Sequence, residues 1–236
     1  MKYSLAIPNY NRDSMAMSSF INVINNEFID EIIINDDFSN ENIYNNLSSL
    51  IKNLNNDKVK LYRNNINLKP YLNKYETVKK CKNDWIILID SDNSIDNDYI
   101  NKLNCYELKY NIIYCPETPV NQHNWSYIDF KNCVIYRQYT KNNINNTNFS
   151  MFLNTGNYCL NKNSYVNIID LNDKNSELSI IDTLYFSYLW LKENQYFIIP
   201  DLKYNHTIHN GSWFVNNVDE SVRSTNILVD KIKREY

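Results

Sequence analysis

The chain has 236 residues, a net charge of −3 and 43% hydrophobic residues. This length allows one large domain or two small ones, and the weak negative charge, with no arginine-rich run, argues against nucleic acid as a partner. No stretch approaches the roughly 20 apolar residues of a membrane span, and the N-terminus lacks the apolar run of a signal peptide. The five cysteines form no CxxC pair, which predicts neither a disulfide framework nor a zinc site. We therefore expect a reduced, cytoplasmic protein without a membrane span.

The composition is biased towards Asn, Ile, Lys and Tyr, and it contains only two glycines, Gly156 and Gly211. We interpret this bias as that of an AT-rich genome, such as that of a giant virus or a protist. In so glycine-poor a chain, each retained glycine is expected to fill a backbone position that no other residue can fill. The alternative is that both occupy ordinary turns.

Strand and helix patterns alternate through the first part of the chain. The predicted strands are short apolar runs, and the helices between them carry apolar side chains at helical spacing. In chain order the elements are a strand at 3–7, a helix at 13–28, a strand at 31–35, a helix at 41–54, a strand at 59–63, a helix at 71–82 and a strand at 85–89. This alternation predicts βαβ units around a largely parallel sheet.

The second part of the chain is less regular. Its predicted elements are strands at 111–115, 133–137, 156–160 and 196–199, an asparagine-rich loop at 141–148, and helices at 179–194 and 217–235. No internal repeat and no linker rich in Pro, Gly or Ser divides the chain, so we expect a single α/β domain.

Two carboxylates, Asp90 and Asp92, follow the apolar run that begins at Trp85. In open α/β sheets, ligands bind outside the carboxyl ends of the strands. Residues two apart in an extended chain point the same way, so this pair can share one divalent cation, which could in turn hold a diphosphate. The pattern predicts a metal-dependent enzyme with a nucleotide-linked donor. The alternative is that the acidic pair merely caps a helix.

Three polar segments at successive strand ends carry a family resemblance. The segment "SLAIPNYNR" (residues 4–12) resembles the opening strand and turn of family 2 glycosyltransferases of the GT-A fold. "EIIINDDFSN" (31–40) resembles the nucleotide-binding Asp-Asp segment of that family, and "NDWIILIDSDN" (83–93) its DxD metal motif. The DxD pattern alone is weak, because any acidic turn can supply it, whereas the ordered set is specific.

The resemblance extends over nearly the whole chain and is best over residues 1–100. It implies one GT-A domain, with a Rossmann-like mixed, mostly parallel sheet flanked by helices. Residues 1–100 would form the nucleotide-sugar-binding half and residues 101–236 the acceptor-binding half. The implied activity is metal-dependent, inverting transfer of a sugar, of the hexosyltransferase type, from a UDP-sugar to a glycan or other hydroxyl acceptor.

The resemblance also implies a nucleotide site. Asp36 or Asp37 would accept a hydrogen bond from the uracil N3–H, because an ionised carboxylate is an acceptor only. The implied nucleotide-binding residues are Pro8, Tyr10, Arg12, Asp36, Asp37, Arg63, Asp90 and Ser91. Two departures from the family pattern fall in this region: Phe38 stands where a glycine is usual, and the glycine that normally precedes the third helix is missing near 67–68.

Asp92, with Asp90 and His209, would hold Mn²⁺ or Mg²⁺ on the diphosphate. Oxygen ligands with only one or two protein carboxylates suit these ions, and the metal would act as a Lewis acid on the leaving UDP. His209 is carried over from the segment "HTIHNGSW" (206–213), which resembles the region that completes the metal site in related enzymes. The alternative for His209 is an ordinary surface histidine.

Asp182 is the candidate general base, which takes the proton of the acceptor hydroxyl. It departs from the family pattern because Ile181, rather than an acid, precedes it. Asp182 could instead only cap its helix, and Glu177 is then the second candidate.

The acceptor or sugar pocket is expected around Asn154, Thr155, Gly156, His206 and Trp213. Trp213 could stack on a sugar ring, as could Trp125, although core packing is an equal alternative for both.

Two rival functions remain in view. One is a non-catalytic glycosyltransferase-like domain that binds a sugar nucleotide or glycan without turnover. The other is a haloacid-dehalogenase-type phosphotransferase, which also ends a strand in DxD but usually has that motif at the start of its fold. An Asp182→Asn variant separates an enzyme from a pure binder.

Overall fold

The computed structural model describes residues 1–120, 130–154, 156–169, 171, 181–207, 209, 211 and 216–236. The strands in this part of the chain are β1 (Tyr3–Asn9), β2 (Ile29–Asp36), β3 (Val59–Arg63), β4 (Trp85–Leu88), β5 (Ile112–Val120), β6 (Val134–Ile135), β7 (Tyr158–Asn161) and β8 (Gln195–Asn205). The helices are α1 (Ser14–Ser18), α2 (Glu41–Leu54), α3 (Lys69–Lys80), α4 (Asn97–Leu103), α5 (Arg137–Asn143), α6 (Thr147–Leu153), α7 (Lys162–Ile168), α8 (Asp182–Trp190) and α9 (Val218–Glu235). Within these residues, no helix is long and apolar enough to cross a membrane.

The strands form one eight-stranded sheet in the order β3-β2-β1-β4-β7-β5-β8-β6. Strands β3, β2, β1 and β4 run parallel to one another, and β5 runs parallel to β8. Strand β7 runs antiparallel to both β4 and β5, and β6 runs antiparallel to β8. The predicted mixed, mostly parallel sheet is therefore confirmed.

Helices cover both faces of the sheet. Alternate residues of β4 enter different cores: Ile86 and Leu88 join the cluster that contains residues of α3 and α8, whereas Ile87 joins the cluster that contains residues of α2 and α4. Strands buried on both faces read as continuous apolar runs, which is why the sequence pattern of β4 was informative. The parallel order of β2, β1 and β4 then brings the carboxyl ends of these strands to one edge, where the segments that follow them meet.

Several predicted elements agree closely with the structure, but the predicted helix at 13–28 is wrong. Helix α1 ends at Ser18, and only a 3₁₀ turn at Ile21–Val23 follows. Phe20, Val23 and Ile24 are buried all the same, so the apolar spacing reflected burial by a folded loop rather than by a continuous helix. The side chain of Asn26 accepts a hydrogen bond from the Phe28 N–H, which stabilises this loop before β2.

Asparagine and aspartate caps explain most of the other differences. The predicted loop at 141–148 contains the end of α5 and the start of α6, where the Asn146 side chain accepts from the Asn148 and Phe149 N–H groups. Helices α4 and α7 were not predicted, and each begins at a capping side chain, Asp96 and Asn161 respectively. The predicted strand at 133–137 is only two residues long, because α5 begins at Arg137.

Candidate active site

A cleft of about 610 Å³ lies at the carboxyl ends of β1 and β4. Among the predicted site residues, those that line it are Pro8, Tyr10, Arg12, Asp37, Asp90, Asp92, Asn154, Asp182 and His209. These residues come from distant parts of the sequence, so the fold gathers them into one site. Three predicted residues, Thr155, Trp213 and Trp125, lie outside the described residues, as does the alternative base Glu177.

Asp37 is a buried acidic residue that lines the cleft. It is almost fully buried, and its Oδ1 accepts hydrogen bonds from Asn64 Nδ2 and from the Leu68 N–H, each at 2.8 Å. Burial raises the pKa of Asp37 above its usual value, despite these two hydrogen bonds. The structure thus gives the cleft a carboxylate acceptor whose position is fixed by neighbouring donors.

Asp36 does not line the cleft. Its carboxylate accepts from Asn9 Nδ2 at 3.1 Å and from the Ser39 N–H at 3.0 Å, and the side chain is fully buried. Arg63 Nε lies 3.6 Å from Asp36 Oδ2. The side chain of Asp36 therefore holds the segment after β2 in place, and of the two adjacent acids only Asp37 faces the cleft.

Arg63 also supports this segment rather than lining the cleft. Its Nη1 contacts Glu41 Oε2 at 2.7 Å, and its Nη2 donates to the Ser39 carbonyl at 2.7 Å. The guanidinium carbon lies 5.2 Å from the ring centroid of Phe38 and 4.2 Å from that of Tyr44. Phe38 has φ 61°, the left-handed conformation that the usual family glycine adopts without cost, and the arginine packs over its ring.

A network of buried asparagine side chains lies beneath Asp37, and sequence reasoning missed it. Asn35 Nδ2 donates to Asn73 Oδ1 at 2.8 Å and to Asn64 Oδ1 at 3.1 Å. Asn64 Nδ2 in turn donates to Asn73 Oδ1 at 3.1 Å and to Asp37. Amides supply both donors and acceptors, so the network links β2 and α3 without adding charge. Its sequence signal is an asparagine at 35, directly after the apolar run at 32–34 of a buried strand.

The carboxylate of Asp92 is contacted by an arginine and a histidine side chain. Arg12 Nη2 lies 2.8 Å from Asp92 Oδ2, and His209 Nε2 lies 3.0 Å from the same oxygen. Arg12 Nη1 also donates to Ser91 Oγ at 3.1 Å, so the fully buried Ser91 positions the arginine and does not line the cleft. Arg12, predicted as a nucleotide-binding residue, therefore also contacts the DxD segment through Asp92 and Ser91.

The segment that carries His209 is tied to the DxD loop. Asn205, the last residue of β8, forms two backbone hydrogen bonds with Ser94, and the Thr207 N–H donates to Asn93 Oδ1 at 3.2 Å. The Gly211 N–H donates to His209 Nδ1 at 3.1 Å, so Nε2 carries the proton that faces Asp92. These contacts explain how a residue late in the chain reaches the end of β4.

His206 does not line the cleft. It lies 6.0 Å from Tyr204, ring centroid to ring centroid. Burial lowers the pKa of its imidazole below the usual value, although the charges of Asp92 and Asp90 act in the opposite direction. His206 is therefore predominantly neutral at pH 7.

The donor set around Asp92 fits a small divalent cation. Asp92 Oδ2 and His209 Nε2 face each other at 3.0 Å, and a carboxylate oxygen and an imidazole nitrogen are both ligand types that such ions accept. In the described part of the chain no three His, Cys, Asp or Glu side chains converge as a cation site, so phosphate and water would supply the other ligands. For a cation to bind, Arg12 would have to move away from Asp92, and His209 would have to present Nε2 without its proton, which would pass to solvent or to Nδ1.

Lys74 occupies the centre of the site, and sequence reasoning did not find it. Its Nζ lies 2.6 Å from Asp182 Oδ2, 3.1 Å from Asp90 Oδ1 and 3.1 Å from Thr183 Oγ1. Burial by itself lowers the pKa of this ammonium, but the charges of Asp182 and Asp90 outweigh burial and hold the pKa above its usual value. The lysine is therefore charged at neutral pH.

A sequence signal for Lys74 was available. Helix α3 buries Tyr71, Tyr75 and Val78, and Lys74 falls on the same face at helical spacing. A lysine at a core-facing position requires an acidic partner, because an unpaired buried charge is too costly.

Gly156 allows the charged cluster to pack closely against its backbone. A Cβ at this position would lie 2.8 Å from Lys74 Nζ, 3.2 Å from Asp90 Oδ2 and 3.2 Å from Thr183 Oγ1, so the lysine would have to move. The backbone of Gly156 is not in the left-handed region, so crowding, and not backbone strain, opposes a side chain here. The expectation that Gly156 allows a close approach thus has a specific cause in the structure, which is the lysine.

The first turns of α9 and the two residues before it also line the cleft, with polar side chains that were not predicted. These are Asn216, Asn217, Ser221 and Thr225. Helix α9 was predicted from the spacing of its apolar residues. That spacing does not indicate that polar residues at its N-terminal end line the cleft.

The sequence model of the family "Glycosyl transferase family 2" matches residues 4–168. The chain belongs to glycosyl transferase family 2. The resemblance predicted from the sequence and the assignment as a glycosyltransferase are therefore confirmed. No curated protein sequence matches the chain.

Solved glycosyltransferase structures share the fold. The structure of S. aureus TarS 1–349 in complex with UDP-GlcNAc superposes with a TM-score of 0.68 at 15% identity, covering 99% of this chain and 70% of that chain. The structure of GalNAc-T7 with UDP, GalNAc and Mn²⁺ gives a TM-score of 0.62 at 16% identity, covering 98% of this chain and 50% of that chain. At such identities the likeness establishes the fold, and it confirms the predicted GT-A architecture.

Proposed function

We propose that this glycosyltransferase transfers a sugar from a UDP-sugar to a hydroxyl acceptor, with inversion at the anomeric carbon and with Mn²⁺ or Mg²⁺ as cofactor. The observation that carries the proposal is that a single cleft is lined by Asp37, whose buried carboxylate can accept hydrogen bonds, by the two DxD carboxylates and by Asp182. In support, TarS has been solved with UDP-GlcNAc and with UDP, and GalNAc-T7 with UDP and Mn²⁺.

Asp37 would recognise the uracil base. Its ionised carboxylate can accept the uracil N3–H, whereas cytosine presents an acceptor at the same position and would be rejected. Asn64 and the Leu68 N–H already donate to Oδ1, which orients the carboxylate towards the cleft. Selectivity for uridine would come from this hydrogen-bond-accepting carboxylate.

Asp92 and His209 would hold the divalent cation, which as a Lewis acid stabilises the negative charge that develops on the leaving diphosphate. Once released from Asp92, Arg12 would donate to a phosphate oxygen, for which its fixed fork of N–H groups is suited. Asp90 would remain paired with Lys74, so its contribution to the metal would be indirect.

Asp182 would act as general base. The acceptor oxygen attacks the anomeric carbon, the bond from that carbon to the diphosphate oxygen breaks, and the hydroxyl proton passes to Asp182. Asp182 lines the cleft at the first residue of α8, where it can approach an acceptor bound between α8 and α9.

A thermal-shift series tests the donor site. The wild-type enzyme is heated with UDP, other nucleotides and a panel of UDP-sugars, each with and without Mn²⁺. A ligand at 100 times its dissociation constant adds about 2.7 kcal/mol of stability, a rise of roughly 5 to 10 °C in Tm. We expect a Mn²⁺-dependent shift with UDP that Asp92→Ala abolishes and that Asp57→Ala, at an exposed turn, retains. No shift with any nucleotide would overturn the UDP-sugar donor.

An Asp182→Asn variant tests catalysis. General-base catalysis contributes about 10²- to 10⁴-fold, so transfer from the best donor should fall by that factor while UDP binding is kept. Asp57→Asn is the matched control, since it makes the same change at an exposed site. Equal transfer by Asp182→Asn and wild type would exclude Asp182 as base, and UDP binding with no transfer by either would indicate a non-catalytic binding domain.

A further inference from the structure

Lys74 connects two parts of the site that have different tasks. Asp90 belongs to the DxD segment after β4, and Asp182 begins α8 in the second part of the chain. A single ammonium lies within 3.1 Å of a carboxylate oxygen from each of them. Lys74 is 7% exposed, and the side chains of Asp182 and Asp90 are 15% and 31% exposed, so water screens the pair with Asp182 less than the pair with Asp90.

We propose that Lys74 is a positioning residue that holds the Asp182 carboxylate in place for proton transfer by anchoring it to Asp90. The proposal rests on the proposed function, in which Asp182 is the general base. It assigns to Lys74 no contact with the donor and no proton transfer of its own.

The local structure leaves Asp182 in need of such an anchor. The N-cap residue of α8 is Ile181, whose side chain makes no capping hydrogen bond, so the first turn of the helix is not fixed in that way. The described contacts of the Asp182 carboxylate are with Lys74 and, at 3.3 Å, with Thr183 Oγ1. Because Lys74 Nζ also contacts Thr183 Oγ1, the three groups restrain each other.

The charge balance also favours positioning over acid–base chemistry for Lys74. Two partly buried carboxylates flank one ammonium, at 2.6 Å and 3.1 Å, so the lysine is needed to balance their charges. A cation held between two carboxylates in this way can orient the carboxylate of Asp182.

Gly156 provides a second, independent way to disturb the lysine. An alanine Cβ there would lie 2.8 Å from Lys74 Nζ, closer than such contacts ordinarily allow, so the ammonium must move. The backbone angles of Gly156 suit alanine, and the substitution changes no charge. Gly156→Ala therefore tests the position of Lys74 without the folding risk of removing a buried charge.

The experiment measures kcat, the KM for the donor and the Kd for UDP with Mn²⁺ in four variants: Lys74→Met, Lys74→Arg, Gly156→Ala and the control Lys79→Met. Lys79 lies on the same helix and is largely exposed. A misplacement of about 1 Å can cost about 100-fold in rate, so we expect kcat of Lys74→Met to fall by about this factor, with KM and Kd little changed. Lys74→Arg should restore part of kcat, Gly156→Ala should lower it, and Lys79→Met should match wild type.

A double-mutant cycle with Asp182→Asn separates positioning from a general structural role. If Lys74 acts through Asp182, then Lys74→Met has no further effect on kcat in the Asp182→Asn background. Additive losses, or a loss that appears mainly in the Kd for UDP, would overturn the proposal and make Lys74 a direct ligand of the donor. A wild-type enzyme that transfers no sugar from any UDP-sugar would overturn the proposed function itself and, with it, this role for Lys74.

Discussion

The guanidinium of Arg12 lies 2.8 Å from Asp92 Oδ2, so the second aspartate of the DxD segment is ion-paired with the loop that follows β1. Both side chains are less than one-fifth exposed. A divalent cation that uses Asp92 must therefore compete with an arginine of the same chain, and occupation of the site by metal and by nucleotide should be coupled.

Arg12→Gln tests this competition. Without the arginine, we expect Mn²⁺ alone to bind the free enzyme several-fold more tightly, and UDP without metal to bind more weakly. Titration of Mn²⁺, followed by the electron paramagnetic resonance signal of the unbound ion, measures the first effect, and calorimetry with UDP and EDTA the second. Arg234→Gln, at an exposed site near the end of α9, serves as control. An unchanged Mn²⁺ affinity would show that Arg12 does not compete for Asp92.

Asp37→Asn should separate stability from nucleotide binding. Burial raises the pKa of Asp37, so between its unfolded and folded values the folded protein binds more protons, and stability falls as pH rises through that window. Ionised Asp37 therefore costs stability at neutral pH. We expect Asp37→Asn to raise Tm at pH 7 but not at about pH 3, where the carboxyl is protonated in both states.

The same variant should lose affinity for UDP, because an amide replaces the acceptor-only carboxylate. Calorimetry with UDP at pH 7 checks this effect. A variant that is both less stable and unchanged in UDP binding would contradict the role of Asp37 in the cleft.

Asn73→Ala should destabilise the protein. The substitution removes the Asn73 oxygen that accepts from the amide groups of both Asn35 and Asn64, and the loss of such buried hydrogen bonds costs about 1–3 kcal/mol. Urea unfolding at pH 7 measures the loss. Asn53→Ala, at an exposed site of α2, should stay within about 0.5 kcal/mol of wild type. A loss no larger than that of the control would mean that water replaces the amide.

Gly211→Ala should weaken metal-dependent nucleotide binding. The added Cβ would lie 3.1 Å from His209 Nδ1, so the ring must shift relative to Asp92. The Mn²⁺-dependent part of the UDP thermal shift should shrink, whereas the shift with UDP alone should not. If Gly211→Ala showed the same thermal shifts as wild type, both with and without Mn²⁺, His209 would not be a metal ligand.

The sequence predicted the framework of the first part of the chain because burial and periodicity coincide there. Helix α2 and strand β3 begin and end where their patterns predict, since each has a clear apolar face. The pattern at 13–28 failed because a folded loop can bury the same apolar spacing as a helix. Helices α4 and α7 were missed because a single capping side chain, rather than periodicity, defines the start of each.

In the candidate site, sequence motifs identified the carboxylates but not the lysine that pairs with two of them. Asp90, Asp92, Asp182 and His209 were all named from the sequence and all line the cleft. The choice between Asp36 and Asp37 depended on which way the turn after β2 directs each side chain, and pattern alone did not determine it. Lys74 was missed because only the packing of α3 against the sheet brings its charge to Asp90 and Asp182.

The antiparallel strand β7 has a consequence for how the protein is made. Strand β4 has β1 on one side and β7 on the other, and β7 lies far along the chain from β4. During synthesis the N-terminal segments therefore emerge with an apolar strand edge that has no partner, and such edges promote association between chains. Until Tyr158–Asn161 has been translated and inserted, the nascent chain is at its most vulnerable to aggregation. Recombinant yield should therefore depend more on translation rate and chaperone supply than on the stability of the finished fold.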